Sequence, residues 1–394
     1  MPITPSDPAL RAHDLAKVAD LAPVVAAYRA ALEQERQLPA PLYDAIAAAG
    51  LLRLWLPRAL GGPELSPHDF MDVVEAASAL DGSVGWIIGN GAGMSRVGGY
   101  VAAAVARDWF ANPRAFVASA TGGVGDAVPV AGGYRVSGRW PYASGIHHAT
   151  HAMALCRLAD GQGAEAGGAD APPSLLWCYL PRADFVIVDN WHVAGLRGTG
   201  SCDFTVADAF VPTTHCHAFP GFTPTQPGIV YRLSPFSVLS WTVAVVPLGI
   251  ARAAMAAFVE LASGRVRFGT GLALRERETV QAMFGRAQAQ FSAARALLAN
   301  AMADLMTTID QNDAAYTQAR AQFRMACAHA GEAASAIVEM LCAATGSFAI
   351  LESNRLERCQ RDVQAISRHI AMSPNNYILG GRLGLGLDAG TARF

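Results

Sequence analysis

Residues 132–151 read GGYRVSGRWPYASGIHHATH. Gly132-Gly133 is a turn signal, Tyr134 to Ser137 alternates like a half-buried strand, and Trp140-Pro141-Tyr142-Ala143-Ser144-Gly145 sets two large rings beside a small hydroxyl. That ending suits a flat ligand: rings lie along a planar face, while Ser144 and nearby backbone N–H groups meet its polar edge. An ordinary sheet edge with a buried Trp has the same spelling, so both readings stand until the flanking sequence is taken in.

On either side the pattern has period two. Runs at 117–120 (which contains Ser119), 133–136, 152–158, 175–180, 185–188 and 204–210 are short and bounded by turns, which predicts a small β-barrel or sandwich over residues 116–230. The Gly-, Ala- and Asp-rich segment 160–174 reads as a solvent-exposed loop. Residues 1–115 read as a helical domain. Apolar residues recur near every 3.6 positions over 15–35, a second helix over 41–49 is closed by Gly50, and Ser66-Pro67 caps a third. Asp81-Gly82-Ser83 breaks that helix before a Gly-rich segment at 84–105. Residues 231–394 predict a helical bundle, with long Ala/Leu-rich segments at 238–261, 278–309 and 314–344 and a last helix at 356–372. The order is α, β, α, an α+β fold.

The chain has 394 residues, 52% of them hydrophobic and 16% charged, so large surfaces are buried and an oligomer is expected. A formal charge of −2 gives no reason to expect nucleic acid or an anionic membrane as partner. No run of apolar residues approaches the roughly 20 of a membrane span, and Met1-Pro2-Ile3-Thr4 lacks signal-peptide features, which together predict a cytoplasmic protein. The seven cysteines include no CxxC pair, against both a disulfide frame and a zinc site.

Several residues are candidates for chemistry. The backbone and the hydroxyls of Thr199 and Ser201, in WHVAGLRGTGSCD (191–203), either cradle a ligand edge or make a tight turn. Arg265 and Arg267 either meet phosphate or are solvated. His369 follows Asp362 by seven residues, two helical turns, and an imidazole near its ordinary pKa of about 6.5 exchanges protons at cellular pH; a structural histidine fits the same spacing. His147, His148, His151, His215 and His217 lack an acidic neighbour and a ligand spacing, which argues against a metal. There is no GxSxG elbow and no GxGxxG fingerprint after a strand.

Taken in order, AGLLRLWLPRALGG (49–62), GGYRVSGRWPYASG (132–145), WHVAGLRGTGSCD (191–203), RVRFGTGLALRERETVQ (265–281) and RLERCQRDVQAISRH (355–369) resemble the acyl-CoA dehydrogenase superfamily, over nearly the whole chain. Within it the chain resembles the two-component flavin-dependent monooxygenases. The resemblance implies a homotetramer with an N-terminal helical domain, a central β-barrel or sandwich domain and a C-terminal four-helix bundle. It places a flavin between sheet and bundle, with Ser144 at N5, Tyr142 beside the isoalloxazine, Arg265 on the phosphate, and Ser119, Thr199 and Ser201 among the cofactor-binding residues.

The same resemblance separates two activities. Dehydrogenases of this family carry a Glu eight residues after the Asp of the RD motif, and Ile370 stands there, next to His369. An apolar side chain removes no proton, which favours the monooxygenase branch, with His369 as base and O2 activated as a flavin C4a-hydroperoxide. The implied system draws reduced flavin from a separate NAD(P)H:flavin reductase, and the absence of GGxG around CAATGSF favours FMN over FAD. A His that phenol-hydroxylating relatives carry after the segment matching 82–86 is missing, so Asn90, Ser95 or Arg96 is expected to make polar contacts with substrate. Trp86, Asn90, Trp241, Phe236 and Met372 are the expected pocket wall, suited to an aromatic or polycyclic molecule. Two alternatives remain open: a dehydrogenase or oxidase with a base from elsewhere, and a non-catalytic binding protein.

Overall fold

The computed structural model describes residues 7–159, 175–219, 223–264, 273–311 and 313–390. Arg265, Arg267 and the Gly-rich segment 160–174 lie outside the described residues. Helices α1 (Pro8–Asp20), α2 (Ala22–Glu35), α3 (Ala40–Ala48), α4 (Pro67–Leu80), α5 (Gly82–Met94) and α6 (Ala103–Ala111) come first. Strands β1 (Val117–Val130), β2 (Gly133–Trp140), β3 (His151–Leu158), β4 (Leu175–Pro181), β5 (Val186–Val188), β6 (Asp203–Pro212) and β7 (Cys216–Phe219) follow. The chain then returns to helix: α7 (Ile229–Arg232), α8 (Pro235–Ala244), α9 (Val246–Gly264), α10 (Glu278–Thr308), α11 (Asp313–Thr345), α12 (Arg355–Ile366) and α13 (Asn375–Gly384).

Local chemistry sets these bounds. Ser66 caps α4, its hydroxyl accepting the Asp69 N–H at 3.1 Å, and the Asp81 carboxylate caps α5 by accepting from Ser83 at 3.0 Å. The expected helix over 15–35 is broken at Leu21, where α1 ends and α2 begins one residue before Pro23. The expected last helix over 356–372 stops at Ile366, and Ile370–Met372 is a separate 3-10 turn. His369 caps that turn, and therefore does not share a helix face with Asp362.

The strands join in one mixed sheet of order β5-β6-β2-β1-β3-β4-β7, with β1 and β3 parallel and the other neighbours antiparallel. β1 pairs with β3 over 117–120 and 125–127, with a register shift between the two stretches, and with β2 over 126–130. Each strand expected from period two is present. The four-residue β7, with alternating Cys216, His217 and Ala218, was too short and polar to announce itself.

The main core runs from the N-terminal helices through one sheet face into the bundle. A smaller cluster, including Met94, Val97, Trp109, Met153, Trp177 and Tyr179, sits against the β3-β4-β7 edge. Helix α5 lies hard against α8: a Cβ on Gly89 would collide with the Thr242 carbonyl and one on Gly93 with the Thr242 side chain. Contrary to the run-length expectation, two helical stretches among the described residues, Pro235–Gly264 and Asp313–Ile350, are long and apolar enough to cross a membrane. Of the qualifying windows, 72% and 44% are buried inside the fold, so bundle packing accounts for much of that apolarity.

Candidate functional site

The end of β2 divides the two rings between different jobs. Trp140 is fully buried, donates to the Leu155 carbonyl at 2.8 Å and stacks on Phe204, so it is a core residue and offers no face to a ligand. Tyr142 is 68% exposed, sits at φ 63°, and meets Trp191 edge-on at 6.5 Å. A left-handed tyrosine is uncommon, and three backbone bonds hold this turn to the 199–202 loop and to itself. Ala143 N–H donates to Cys202 O at 3.0 Å, Gly145 N–H to Thr199 O at 2.8 Å, and Ser144 N–H to Tyr142 O at 3.0 Å.

That lashing brings three hydroxyls into a row. Ser144 Oγ lies 2.7 Å from Ser201 Oγ, which lies 2.7 Å from Thr199 Oγ1. All three residues are buried. The direction of the row follows from its ends. Thr199 has one hydroxyl hydrogen and gives it to the Leu196 carbonyl at 2.9 Å, an oxygen that only accepts. Ser201 therefore donates to Thr199, and Ser144 donates to Ser201. At the other end the Trp86 indole N–H donates to Ser144 Oγ at 2.8 Å. Ser144 is left with one lone pair and no hydrogen to offer.

Trp86 also ties the row to His369, the two rings meeting edge-to-face at 5.1 Å and 82°. His369 Nδ1 accepts the Ala371 N–H at 3.2 Å. Burial pushes the His369 pKa down to about 4, so the ring is neutral at pH 7 and carries its proton on Nε2. Met372, in the same turn, is buried against Gly331 of α11.

A buried ion cluster fixes these pieces to one another. Asp362 on α12 accepts the Leu196 N–H at 2.6 Å, at the start of the loop that carries Thr199 and Ser201. Arg358 pairs with Asp81, the cap of α5, at 2.8 Å and with Asp362 at 3.8 Å. Arg361 donates to the Ala194 carbonyl at 2.6 Å. Burial, and then the nearby Asp81 charge, push Asp362 up to about 7. No hydrogen bond or ion pair among the described residues brings a carboxylate to Trp86, Ser144 or His369.

Of the residues singled out in the sequence, Trp86, Ser144, Thr199, Ser201 and His369 come together, with Tyr142 beside them. Asn90, a turn further along α5, donates to the Trp86 carbonyl at 2.9 Å and is half-buried. Ser119 is on β1, paired with Met153 and half-buried. Trp241 is not gathered in: it is 1% exposed, its N–H goes to the Pro67 carbonyl at 3.2 Å, and it packs on Phe323. Phe236 packs on Phe219 beside the smaller cluster. Sequence reasoning cast Trp86 as a pocket wall and missed that its indole N–H polarises Ser144; nothing in local spacing links positions 58 residues apart.

Family models for the acyl-CoA dehydrogenase N-terminal domain and C-terminal domain match residues 16–108 and 241–374. The oxygenase component of the FADH(2)-dependent resorcinol hydroxylase of Rhizobium sp. (strain MTP-10005) is 30% identical over 366 residues, 86% of each chain. The chain belongs to the acyl-CoA dehydrogenase family. Within that family it is a flavin-dependent oxidoreductase of the monooxygenase branch. Indole-3-acetate monooxygenase of Pseudomonas putida is 29% identical over 358 residues, covering 90% of this chain and 89% of that one. The structure of XiaF from Streptomyces sp. in complex with FADH2 and glycerol superposes with a TM-score of 0.84 at 28% identity, covering 97% of both chains. The hydroxyl row leaves Ser144 Oγ as an acceptor, the polarity that a hydrogen-bearing ring nitrogen such as N5 of a reduced flavin would require.

Proposed function

We propose that this chain takes reduced FMN or FAD from a separate NAD(P)H:flavin reductase and inserts one atom of O2 into an aromatic or polycyclic small molecule. The other atom leaves as water, and the flavin supplies the two electrons when bound. The observation that carries the reading is the direction of the row Trp86, Ser144, Ser201, Thr199, Leu196, which commits the Ser144 hydrogen to Ser201 and leaves Ser144 Oγ able only to accept. A dehydrogenase works from oxidised flavin and a carboxylate base; here N5 would find no donor, and Ile370 at the acid's place is 64% exposed and apolar.

The side chains divide the work. Ser144 holds N5–H and Tyr142 covers the ring system, while Thr199 and Ser201 keep Ser144 turned the right way. Arg265 takes the phosphate, and Ser119 lies along the cofactor's path. Trp86, Asn90 and Met372 form the substrate wall, with water kept out by the buried α5–α8 contact. His369 manages the proton of the substrate's reacting hydroxyl or heteroatom. Because Nδ1 is committed to Ala371, its resting neutral ring holds the oxygen through Nε2–H, and it serves as base only by giving that backbone bond up.

The assembly is a homotetramer. Large apolar side chains left exposed between residues 348 and 387, with Ile350 at 75% and Leu385 at 81%, are the surface such an assembly covers. The test is anaerobic titration with reduced FMN and FAD, then mixing with O2 and resorcinol or indole-3-acetate while product and hydrogen peroxide are measured. Failure to bind either reduced flavin at micromolar concentration sinks the reading.

A further inference from the structure

Beyond α5 lies a second polar arrangement that flavin chemistry does not use. Arg96 is 4% exposed and forms no salt bridge among the described residues. Its guanidinium donates to the Tyr100 hydroxyl and lies 4.9 Å from that ring's centroid, while its Nε–H has no acceptor among the described residues. Trp177, on β4, is also 4% exposed, and its indole N–H has no acceptor among the described residues either. Both line one half-open cavity with Tyr100, Met153, Tyr179 and His217, enclosing about 360 Å³ including the mouth.

The neighbouring donors are committed. Tyr100 O–H donates to the Tyr231 carbonyl at 2.9 Å, Tyr179 O–H to His217 Nε2 at 2.9 Å, and His217 Nδ1–H to the Ala218 carbonyl at 3.1 Å. The Nε–H of the Arg96 cation and the Trp177 indole N–H are thus two buried donors without a partner among the described residues, in an aromatic wall. A buried guanidinium without a counter-charge is strongly unfavourable, so the cavity calls for an anionic acceptor. A carboxylate answers both donors with its two oxygens, and the rings and Met153 suit an apolar body behind it. Arg96 lies in the 3-10 turn (Ser95–Gly99) after α5 and donates to Tyr100, whereas Trp86 is in the second turn of α5 and donates to Ser144.

We propose that Arg96 and Trp177 form a pocket for the carboxylate of a small aromatic acid, apart from the flavin site. The experiment is calorimetric titration of the full flavin-free chain with phenylacetate, its neutral isostere phenylacetamide, and formate, using wild type, Arg96→Met and Trp177→Phe. Phenylacetate is expected to bind wild type, phenylacetamide at least tenfold more weakly. Arg96→Met abolishes binding, and Trp177→Phe weakens it severalfold without unfolding the chain. Phenylacetate and phenylacetamide binding equally, or both variants binding phenylacetate as wild type does, overturns the proposal, as does no phenylacetate binding at millimolar concentration.

The source of the carboxylate is read separately, from crystals soaked in 4-bromophenylacetate. A bromine peak within the Met153-Tyr179 cluster supports an independently bound acid, and one directed at Trp86 and His369 overturns the separation from the flavin site by making the carboxylate the substrate's own tail. Formate binding as tightly as phenylacetate overturns the aromatic part of the assignment. Because none of these readouts uses turnover, loss of the oxygenase reading leaves the pocket standing, and loss of the pocket leaves the oxygenase.

Discussion

Ser201→Ala tests the hydroxyl row where it is most exposed to refutation. In the wild type Ser144 gives its hydrogen to Ser201, so a reduced flavin gains a neutral hydrogen bond of about 0.5–1.5 kcal/mol at N5. An oxidised flavin instead loses a solvated acceptor to a site without a donor, costing about 1–3 kcal/mol. Together these favour the reduced form by roughly 1.5–4.5 kcal/mol, about 10- to 10³-fold in affinity. At about 30 mV per tenfold for a two-electron couple, the bound flavin's potential rises by about 30–90 mV. Removing the Ser201 hydroxyl frees Ser144 to turn its hydrogen towards N5, and the preference should fall by about tenfold or more. The assay is anaerobic fluorescence titration with oxidised and dithionite-reduced FMN, backed by potentiometry. Equal wild-type affinities for the two forms, or a Ser201→Ala ratio unchanged from wild type, would show that the row does not set the direction of Ser144.

Other outcomes follow from the same geometry. His369→Gln keeps an N–H donor and should retain most hydroxylation, while His369→Ala should lose it; if Gln falls as far as Ala, by about 10²- to 10⁴-fold, the ring works as a base. Burial holds His148, His151, His217 and His369 down near pH 4, below the unfolded value of about 6.5, so the unfolded chain binds more protons between those limits. Stability should therefore fall as pH drops from 6.5 towards 4; a melting temperature flat across that window, or a His151→Gln chain with an unaltered slope, contradicts it. Asp362→Ala leaves the buried Leu196 N–H without its acceptor while Arg358 keeps Asp81, and should cost about 1–3 kcal/mol in denaturant unfolding. A loss under 1 kcal/mol would mean that the ion cluster is not what joins α12 to the Thr199 loop.

Much of this was readable in the residues, and the gaps have physical causes. Period-two runs placed β1 to β6 because their side chains alternate between core and solvent. The break at Leu21 escaped because alanine-rich helix continues on both sides of it. Trp140 and Tyr142 looked equivalent as rings, and only the left-handed backbone at Tyr142 separates a buried anchor from an exposed face. Ser144, Thr199 and Ser201 were each suspected. Their order as a one-way row depends on Leu196 O and Trp86 N–H, which only the folded chain brings near. His369 meets Trp86 for a reason that spacing does not give: seven residues from Asp362 suggest a common helix face, but α12 ends first and the imidazole is set by the following turn.

The clamp of Asp362, Arg358 and Asp81 ties three distant chain segments into a single chassis beneath the hydroxyls. Asn90 of α5 and Phe236 and Leu239 of α8 are half-buried and lie outside that chassis. Such a division lets mutation reshape which molecules enter while the electron-handling parts stay in alignment, so laboratory evolution aimed at new aromatic compounds should draw its tolerated changes from those positions and leave Gly89, Gly93 and Thr242 as they are.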